Sequence, residues 1–226
     1  MSAARRPDGA RLVLATTNPH KVTELRQLLA DLAVQPGLDL DQAVVGLGAF
    51  APLPDVVEDG VSFAENALLK ARAVGAATGL PALADDSGLA VDVLGGCPGI
   101  FSARWAGPAA AGGPGGTGRA EQDRANLDLL LAQVADVRDE HRGAGFVCAV
   151  ALVTPDGTEH VEQGQVRGTL ARAPRGVHGF GYDPVLRLPD GRTLAEYSPA
   201  EKNAVSHRGN ALRAIAPRLL DLLTRA

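Results

Sequence analysis

The segment TTNPHK at residues 16–21 lies between a short apolar run and a predicted amphipathic helix. The first turn of a helix exposes unpaired N–H groups and a partial positive charge, so anions bind there. Thr16 and Asn18 add side-chain hydrogen-bonding groups, and Lys21 adds a positive charge suited to a phosphate oxygen. The pattern predicts a phosphate-binding loop, with ordinary helix capping and a solvated lysine as the alternative. It is not a Walker A loop, because G-x-x-x-x-G-K-[ST] occurs nowhere in the chain.

Two adjacent acids, Asp85 and Asp86, precede Ser87 and Gly88 at the end of a predicted strand. Neighbouring carboxylates repel each other and resist burial unless a cation or a proton offsets their charge. Successive strand residues point to opposite faces, so one of the two acids is expected to reach a shared site. There it could hold Mg²⁺ or activate a water, with Gly88 permitting a tight turn at the rim of the sheet. An Asp-rich turn without chemistry is the alternative.

A second acidic pair, Glu58 and Asp59, precedes a predicted helix that has Glu65 in its first turn. Helix capping explains Glu65, because it follows Ser62 at the spacing of a capping box. No local structural role is evident for Glu58, so local structure alone does not explain this acid.

The loop GFGYDP at residues 179–184 places Phe180 between two glycines and Tyr182 directly after the second of them, ahead of a proline. Aromatic residues outside helical or strand periodicity are candidates for stacking on a planar base. Asp183 could accept hydrogen bonds from the base or the ribose. A hairpin with two anchored aromatic side chains is the alternative.

Near the C-terminus, Lys202 is followed by the segment SHRG at residues 206–209. Arg208 is a hydrogen-bond donor only, because its guanidinium keeps its proton. A donor facing position 6 of a purine would favour a 6-oxo base over the 6-amino group of adenine. Capping or surface placement of the His-Arg pair is the alternative.

Alternating helices and strands are predicted to position these segments. Residues 11–16 are predicted to form a buried strand and residues 19–32 an amphipathic helix, with Asn18 as its N-cap. The other predicted elements are a weak strand with loops over 37–57, a helix from Ser62 to about Gly79, two strand pieces around a turn at 86–88 within residues 82–94, a helix marked by Leu127 to Val134, a hairpin of residues 144–154 and 158–168, and helix from Ser198 onward.

Residues 106–118 are rich in glycine, alanine and proline, which predicts a flexible loop that serves as a lid or as a tolerated surface insertion. Gly113, Gly115 and Gly118 match G-x-G-x-x-G. A dinucleotide fingerprint needs a strand that leads directly into the first glycine, and residues 106–112 cannot supply one. We therefore reject a dinucleotide site.

The 226-residue chain is 46% hydrophobic and 21% charged, which fits one sizeable soluble domain or two joined lobes. With a net charge of -4, the chain has no overall positive electrostatic field that would bind DNA or RNA, so any anion site is expected to be local. Cys97 and Cys148 are too few for a disulfide framework and fit a reducing compartment. No segment approaches the roughly 20 apolar residues of a membrane span, and Arg5-Arg6 lacks the apolar stretch of an export signal. We expect a cytoplasmic protein with a disordered tail over residues 1–10 and one domain over residues 11–226.

Five motifs follow one another at fixed spacing along the chain. They are T-x-N-x-x-K at 16–21, F-x-E-N-A-x-x-K-A at 63–71, ADDSGLAVDVLGGCPGIFSARWAG at 84–107, GFGYDP at 179–184 and E-K-x-A-x-S-H-R-G-x-A-L at 201–212. In this order they resemble the non-canonical purine NTP pyrophosphatases, also called inosine triphosphatases or XTP/dITP diphosphatases. The resemblance extends from about Arg11 to Leu223, nearly the whole chain.

The resemblance implies an α/β, two-lobed inosine triphosphatase-like fold with a long mixed β-sheet and an active-site cleft between the lobes, usually as a homodimer. It implies Mg²⁺-dependent hydrolysis of ITP, dITP and XTP to the monophosphate and pyrophosphate, by water attack at the α-phosphorus. Asp86 would be the proton acceptor and a metal ligand, and Glu58 a second metal contact. The residues that would hold the triphosphate are Thr16, Thr17, Asn18, Pro19, His20, Lys21 and Ser87. Those that would hold the rest of the nucleotide are Phe180, Gly181, Tyr182, Asp183, Lys202, His207 and Arg208.

The chain departs from the common pattern of the family at the long glycine-rich segment 108–118 and at Trp105, where a tyrosine is more usual.

Two other functions stay open. One is a different nucleotide hydrolase, either a phosphatase or a pyrophosphatase for modified pyrimidines. The other is a non-catalytic nucleotide-binding module, against which the adjacent acids argue, because carboxylates without a metal repel a triphosphate.

Overall fold

A computed structural model describes residues 6–32, 38–53, 55–107 and 118–225 as an α/β fold. Its strands are β1 (Leu12–Leu14), β2 (Val44–Gly46), β3 (Ala82–Val91), β4 (Gly143–Val153), β5 (Glu159–Leu170) and β6 (Leu186–Arg187). Its helices are α1 (Pro19–Asp31), α2 (Leu40–Ala43), α3 (Phe63–Thr78), α4 (Arg119–Gln133), α5 (Pro199–Val205) and α6 (His207–Arg225). Within this part of the chain, no helix is both long and apolar enough to span a membrane.

The strands form one six-stranded sheet in the order β2-β1-β3-β4-β5-β6. Strand β1 pairs in parallel with β2 and with β3, whereas β5 pairs with β6 in the antiparallel sense. The sheet is therefore mixed, as the resemblance implied. The predicted hairpin is also confirmed, since β4 and β5 are neighbours joined by a turn in which Gly157 has a positive φ of 86°.

The chain divides into two compact units, each with its own apolar core. The first unit contains the described residues up to Asp86, together with residues 148–164 and the chain from Asn210 onward. Leu25 and Leu29 of α1 are fully buried in its core, which confirms most of the predicted apolar stripe, whereas Leu32 lies just after the helix and is 42% exposed. The second unit contains residues 87–147 and 165–209, and Leu130 of α4 lies in its core.

Strand β3 corrects one prediction. Residues 82–94 were expected to form two strand pieces around a turn at 86–88, but Ala82–Val91 is one uninterrupted strand. The two adjacent carboxylates are tolerated within a continuous strand because each has a cationic or amide partner outside it. Lys21 contacts Asp85, and Lys70 contacts Asp86. The extended backbone places these two consecutive side chains on opposite faces of the sheet.

Local capping signals predicted the helix starts well. Ser62 accepts the N–H of Glu65 at 3.1 Å and caps α3, although the Glu65 carboxylate binds the N–H of Val61 rather than that of Ser62. At α5, Ser198 and Glu201 form the complete capping box. The weak strand predicted within residues 37–57 is β2, which follows the short helix α2.

Some predictions fall on residues outside the described part of the chain. The glycine-rich loop over 106–118 lies outside it from residue 108 to residue 117, so a lid function stays a prediction. The tail over 1–10 lies outside it up to residue 5. From there, the Arg6 guanidinium donates to the carbonyl of Ala10, and Ala10 is fully buried.

Candidate active site

The first predicted site segment reaches the acids of β3 through Lys21. Its ammonium lies 2.9 Å from both carboxylate oxygens of Asp85, and this carboxylate is almost fully buried. Lys21 belongs to the first turn of α1, where unpaired N–H groups favour anions. The ion pair therefore places a positive charge at the helix terminus that was predicted to bind phosphate. Its acidic partner, Asp85, is the residue directly before Asp86.

The rest of the loop supports this terminus. The N–H of Asn18 donates to Thr16 Oγ1 at 3.1 Å, and the N–H of Lys21 donates to the carbonyl of Asn18 at 3.2 Å. Thr17 and Asn18 are exposed. Helix α1 begins at Pro19 as predicted, and the side chains of Pro19 and His20 lie outside the described part of the structure.

Asp86 lies on the other face of β3 and is paired with helix α3. The side-chain amide of Asn66 donates to Asp86 Oδ2 at 3.2 Å, and Lys70 Nζ lies 3.3 Å from Asp86 Oδ1. Burial raises the pKa of Asp86 above its ordinary value, and the negative charge of Glu58 adds to this shift. The charge of Lys70 and the hydrogen bond from Asn66 lower the same pKa and offset part of it. Asp86 is thus a partly buried carboxylate, with 14% of its side chain exposed.

Glu58 joins this group through the same lysine. Lys70 Nζ lies 3.1 Å from Glu58 Oε2, so one ammonium bridges Glu58 and Asp86. The structure therefore brings together the two acids predicted to contact a metal. Two carboxylates fit Mg²⁺, which proteins bind through one or two such groups while substrate phosphates and water fill the other positions. Among the described residues, no group of three or more His, Cys, Asp or Glu side chains is placed to hold a metal ion.

Sequence reasoning missed Asn66, Lys70 and Asp85 as site residues. Asn66 and Lys70 were recognised only as letters of a motif, although their spacing of four places them on one face of α3. Their neighbours Ala67 and Ala71 are fully buried, so this face packs onto the protein. Polar residues on an otherwise apolar, buried face were the signal that could have identified them.

In the second unit, the loop of residues 179–184 presents one aromatic ring rather than two. Phe180 is 52% exposed, and its ring centroid lies 5.1 Å from Lys202 Nζ and 5.7 Å from the guanidinium carbon of Arg119. Tyr182 is buried in the core and donates from its hydroxyl to the carbonyl of Ser102 at 2.9 Å. Burial also raises the pKa of Tyr182. Of the two aromatics predicted to bind substrate, only Phe180 offers a stacking surface.

Asp183 organises this loop from within. Its Oδ2 accepts the N–H of Phe180 at 2.8 Å and the ammonium of Lys202 at 2.5 Å. Gly179 has a φ of 78°, and a Cβ there would lie 2.1 Å from the same carboxylate oxygen, so only glycine fits. Asp183 was predicted to contact the base, and the structure shows that its buried carboxylate fixes Phe180 and Lys202 relative to each other.

Helix α4 carries two further charged residues near this loop that sequence reasoning did not select. Arg119 lies beside the Phe180 ring. Asp123 lies one turn later, and burial raises the pKa of its carboxyl group, which the nearby charge of Arg119 lowers in part. Both residues come directly after the glycine-rich segment, for which the sequence had predicted only a flexible loop.

Ser206 separates the two helices of the C-terminal region, which was predicted to be helical from Ser198 onward. Its N–H donates to the carbonyl of Lys202 and ends α5, while its Oγ accepts the N–H of Gly209 and caps α6. The ring of His207 is buried and stacks on Phe146, with centroids 4.8 Å apart. His207 therefore packs against the core, whereas the adjacent Arg208 is half-buried.

The predicted site residues thus divide into two groups, one in each unit. The first unit contains Thr16, Thr17, Asn18, Lys21, Glu58 and Asp86. The second unit contains Ser87, Phe180, Gly181, Tyr182, Asp183, Lys202, His207 and Arg208. The first group has the charges for phosphate and metal chemistry, and the second has an exposed ring beside cations.

Comparison with known proteins gives a consistent result. The sequence profile of the Ham1 family matches residues 12–218. The chain is 60% identical over 215 residues to the dITP/XTP pyrophosphatase of Streptomyces coelicolor, which covers 94% of this chain and 98% of that relative. It is similar to a solved HAM1 protein of Coxiella burnetii, with a TM-score of 0.78 and 38% identity over 94% of this chain and 99% of that one. It is also similar to a nucleoside-triphosphatase / dITP/XTP pyrophosphatase of Mycobacterium abscessus, with a TM-score of 0.71 and 46% identity over 92% and 99% of the two chains.

Proposed function

The chain belongs to the Ham1 family, and on that premise we propose that it hydrolyses non-canonical purine nucleoside triphosphates to the monophosphate and pyrophosphate. The observation that carries this proposal is 60% identity, over almost the whole chain, to a relative named dITP/XTP pyrophosphatase. The two site groups supply the chemical means, because a triphosphate needs cations and a purine needs an aromatic surface. The expected substrates are dITP, XTP and ITP.

Asp86 is the proton acceptor in this proposal. It accepts a hydrogen bond from the attacking water and takes its proton as the water adds to the α-phosphorus. An ordinary aspartate is a weak base at neutral pH, and its raised pKa brings Asp86 closer to the operating range. When bound by Glu58 and Asp86, Mg²⁺ would neutralise charge on the phosphate oxygens and on the departing pyrophosphate.

The other residues bind and orient the nucleotide. Lys21 and the N–H groups at the start of α1 hold phosphate oxygens, with Thr16 and Asn18 shaping the loop. Phe180 stacks on the base. Lys202 and Arg208 are hydrogen-bond donors, and a donor facing position 6 selects a 6-oxo purine.

A nucleotide panel with product identification tests the proposed function. With Mg²⁺ present, the purified protein should release pyrophosphate from dITP, XTP and ITP far faster than from ATP or dTTP, and EDTA should abolish the release. Orthophosphate as the first product would instead indicate a phosphatase. Preferential turnover of modified pyrimidines would indicate a pyrophosphatase for those nucleotides. Binding of dITP without turnover would indicate a non-catalytic nucleotide-binding module.

Replacing Arg208 with alanine should narrow the preference for ITP over ATP by about tenfold, because one donor to a base edge contributes about 1 kcal/mol or more of discrimination. The measurement is the ratio of kcat/KM for the two nucleotides. Arg213→Ala removes an exposed arginine from the same helix and serves as the control. An unchanged ratio in Arg208→Ala would show that another group reads position 6.

The protein acts as a homodimer in the cytoplasm in this proposal. Val93 and Phe101 of the second unit are large apolar side chains that are 48% and 47% exposed, as expected of residues that a partner covers. The two free cysteines, Cys97 and Cys148, fit a reducing compartment. Light scattering after size-exclusion chromatography should give the mass of two chains, and the mass of one chain would contradict the dimer.

A further inference from the structure

Asn66 connects the two acidic segments of the site through its side-chain amide. The residue is only 1% exposed. Its Oδ1 accepts the backbone N–H of Gly60 at 2.9 Å, and its Nδ2 donates to Asp86 Oδ2 at 3.2 Å. One planar amide therefore spans from the loop that contains Glu58 to the strand that contains Asp86.

The contact at Gly60 is close enough to fix the position of the loop. A Cβ at residue 60 would lie 2.7 Å from Asn66 Oδ1 and 2.7 Å from the Cβ of Glu65, so a side chain has no room there. The next residue is also tied to α3, because the N–H of Val61 donates to the Glu65 carboxylate at 2.7 Å. Glu58 lies two residues before this anchored point, so the anchor restricts where its carboxylate can reach.

The chemistry of an amide suits this position. Gly60 offers a donor and Asp86 offers an acceptor, and a side-chain amide has an acceptor at one end and a donor at the other. An apolar side chain would leave both partners unsatisfied. The two carboxylates repel each other, and the ammonium of Lys70 attracts both of them. Attraction alone does not set a distance, whereas a rigid amide that touches both segments does.

We propose that Asn66 is a positioning residue that holds the carboxylates of Glu58 and Asp86 at the separation at which they take up a divalent cation. This inference rests on the proposed function, which assigns both acids to Mg²⁺. A residue that orients metal ligands typically contributes about tenfold to metal affinity. Asn66 has no contact with substrate in this role and acts only through the two acids.

The test uses the full chain with Asn66→Ala and follows metal binding directly. Mn²⁺ is titrated by water-proton relaxation in the presence of a saturating α,β-methylene analogue of dITP, whose α–β bridge cannot be hydrolysed. We expect Mn²⁺ to bind about tenfold more weakly. The Mg²⁺ concentration for half-maximal turnover of dITP should rise by a similar factor. At saturating Mg²⁺, kcat should largely recover and KM for dITP should stay unchanged, because the defect lies in metal uptake.

Gly60→Ala tests the same contact from its other end. The added Cβ must push the loop away from Asn66, so metal affinity should fall although the amide is intact. If Asn66→Ala fails to fold, this variant alone decides the proposal. Unchanged Mn²⁺ affinity in a folded variant of either kind would overturn it.

Asn126 supplies a matched control in the second unit. It is also 1% exposed, and it joins a loop to a helix by accepting the N–H of Ala106 at 2.7 Å and donating to the carbonyl of Ala103 at 3.1 Å. Asn126→Ala should lose stability but keep its Mn²⁺ affinity, and equal weakening in both variants would overturn the proposal. So would the absence of Mn²⁺ binding by the unmodified protein. Pyrophosphate release from dITP by the unmodified protein tests the proposed function separately.

Discussion

Replacing Asp86 with asparagine is expected to lower kcat for dITP about a thousandfold, which is typical of the loss of a general base. Asparagine has nearly the same shape as aspartate but cannot take a proton from water. The change also removes one of the two carboxylates proposed to hold Mg²⁺, and both losses act on the chemical step. Single-turnover measurement at saturating nucleotide and Mg²⁺ isolates that step. Turnover within a few-fold of the unmodified protein would remove Asp86 from its assigned role.

At neutral pH, the free energy of unfolding of the same variant should be at least as large as that of the unmodified protein. Because the folded-state pKa of Asp86 is raised, the folded protein binds this proton more tightly than the unfolded chain does. The contribution of Asp86 to stability is therefore fully present below its ordinary pKa and is lost as pH rises through the raised value. The free energy of unfolding of Asp86→Asn, relative to the unmodified protein, should thus improve as pH rises from 4 toward neutrality. Urea unfolding at a series of pH values measures this difference.

Asp85 provides the matched control for stability, since it is the neighbouring acid on the opposite face of the strand. Its carboxylate is paired with Lys21 at 2.9 Å, so Asp85→Asn removes the charge from an established ion pair. We expect a loss of about 1 kcal/mol, kept small because Lys21 is partly exposed to solvent. If both variants lost stability equally at neutral pH, burial would not be the main cause of a raised pKa at Asp86.

Features set by neighbouring residues could be predicted from the sequence. The structure confirms three predicted helix N-termini, those at Pro19, Ser62 and Ser198. Each depends on side chains within about one helical turn. The hairpin of β4 and β5 follows from a Pro-Asp-Gly turn that joins an apolar strand to a largely polar one. Such signals are local, so tertiary contacts had little opportunity to override them.

Strand β3 shows where local prediction fails. Its Asp-Asp-Ser-Gly segment has the composition of a turn. The segment stays extended because β1 pairs with the start of the strand and because Lys21 and Lys70 meet its acids from helices that are distant in sequence. None of these partners is visible in a window around residue 86. The role of Asp86 stays a prediction, whereas the turn expected at residues 86–88 was wrong.

Phe180 and Tyr182 make the same point for the candidate site. Both are aromatic residues flanked by glycine in one short loop, and the sequence offers no reason to separate them. Tyr182 packs in the core of the second unit, where its hydroxyl donates to the carbonyl of Ser102, 80 positions earlier in the chain. A buried hydroxyl needs such a partner, and the sequence of the loop does not show which residue provides it.

Replacing Lys70 with methionine is expected to lower kcat/KM for dITP at neutral pH by about a hundredfold, because small displacements of catalytic groups have effects of this size. Methionine keeps much of the length of lysine but removes the charge that bridges Glu58 and Asp86. That charge lowers the pKa of Asp86, so its removal should raise this pKa further. Since the ionised carboxylate is the active form, the acid limb of the pH profile of kcat/KM should move to higher pH.

Lys202→Met is the control, because Lys202 is also paired with a buried carboxylate but lies beside Phe180. It should raise KM for dITP while leaving the acid limb in place. A different role for Lys70 predicts the opposite sign. If its ammonium only competes with Mg²⁺ for the two carboxylates, Lys70→Met should bind the metal more tightly and turn over faster at low Mg²⁺. A gain in activity under those conditions would show that Lys70 occupies the position of the cation and does not tune the base.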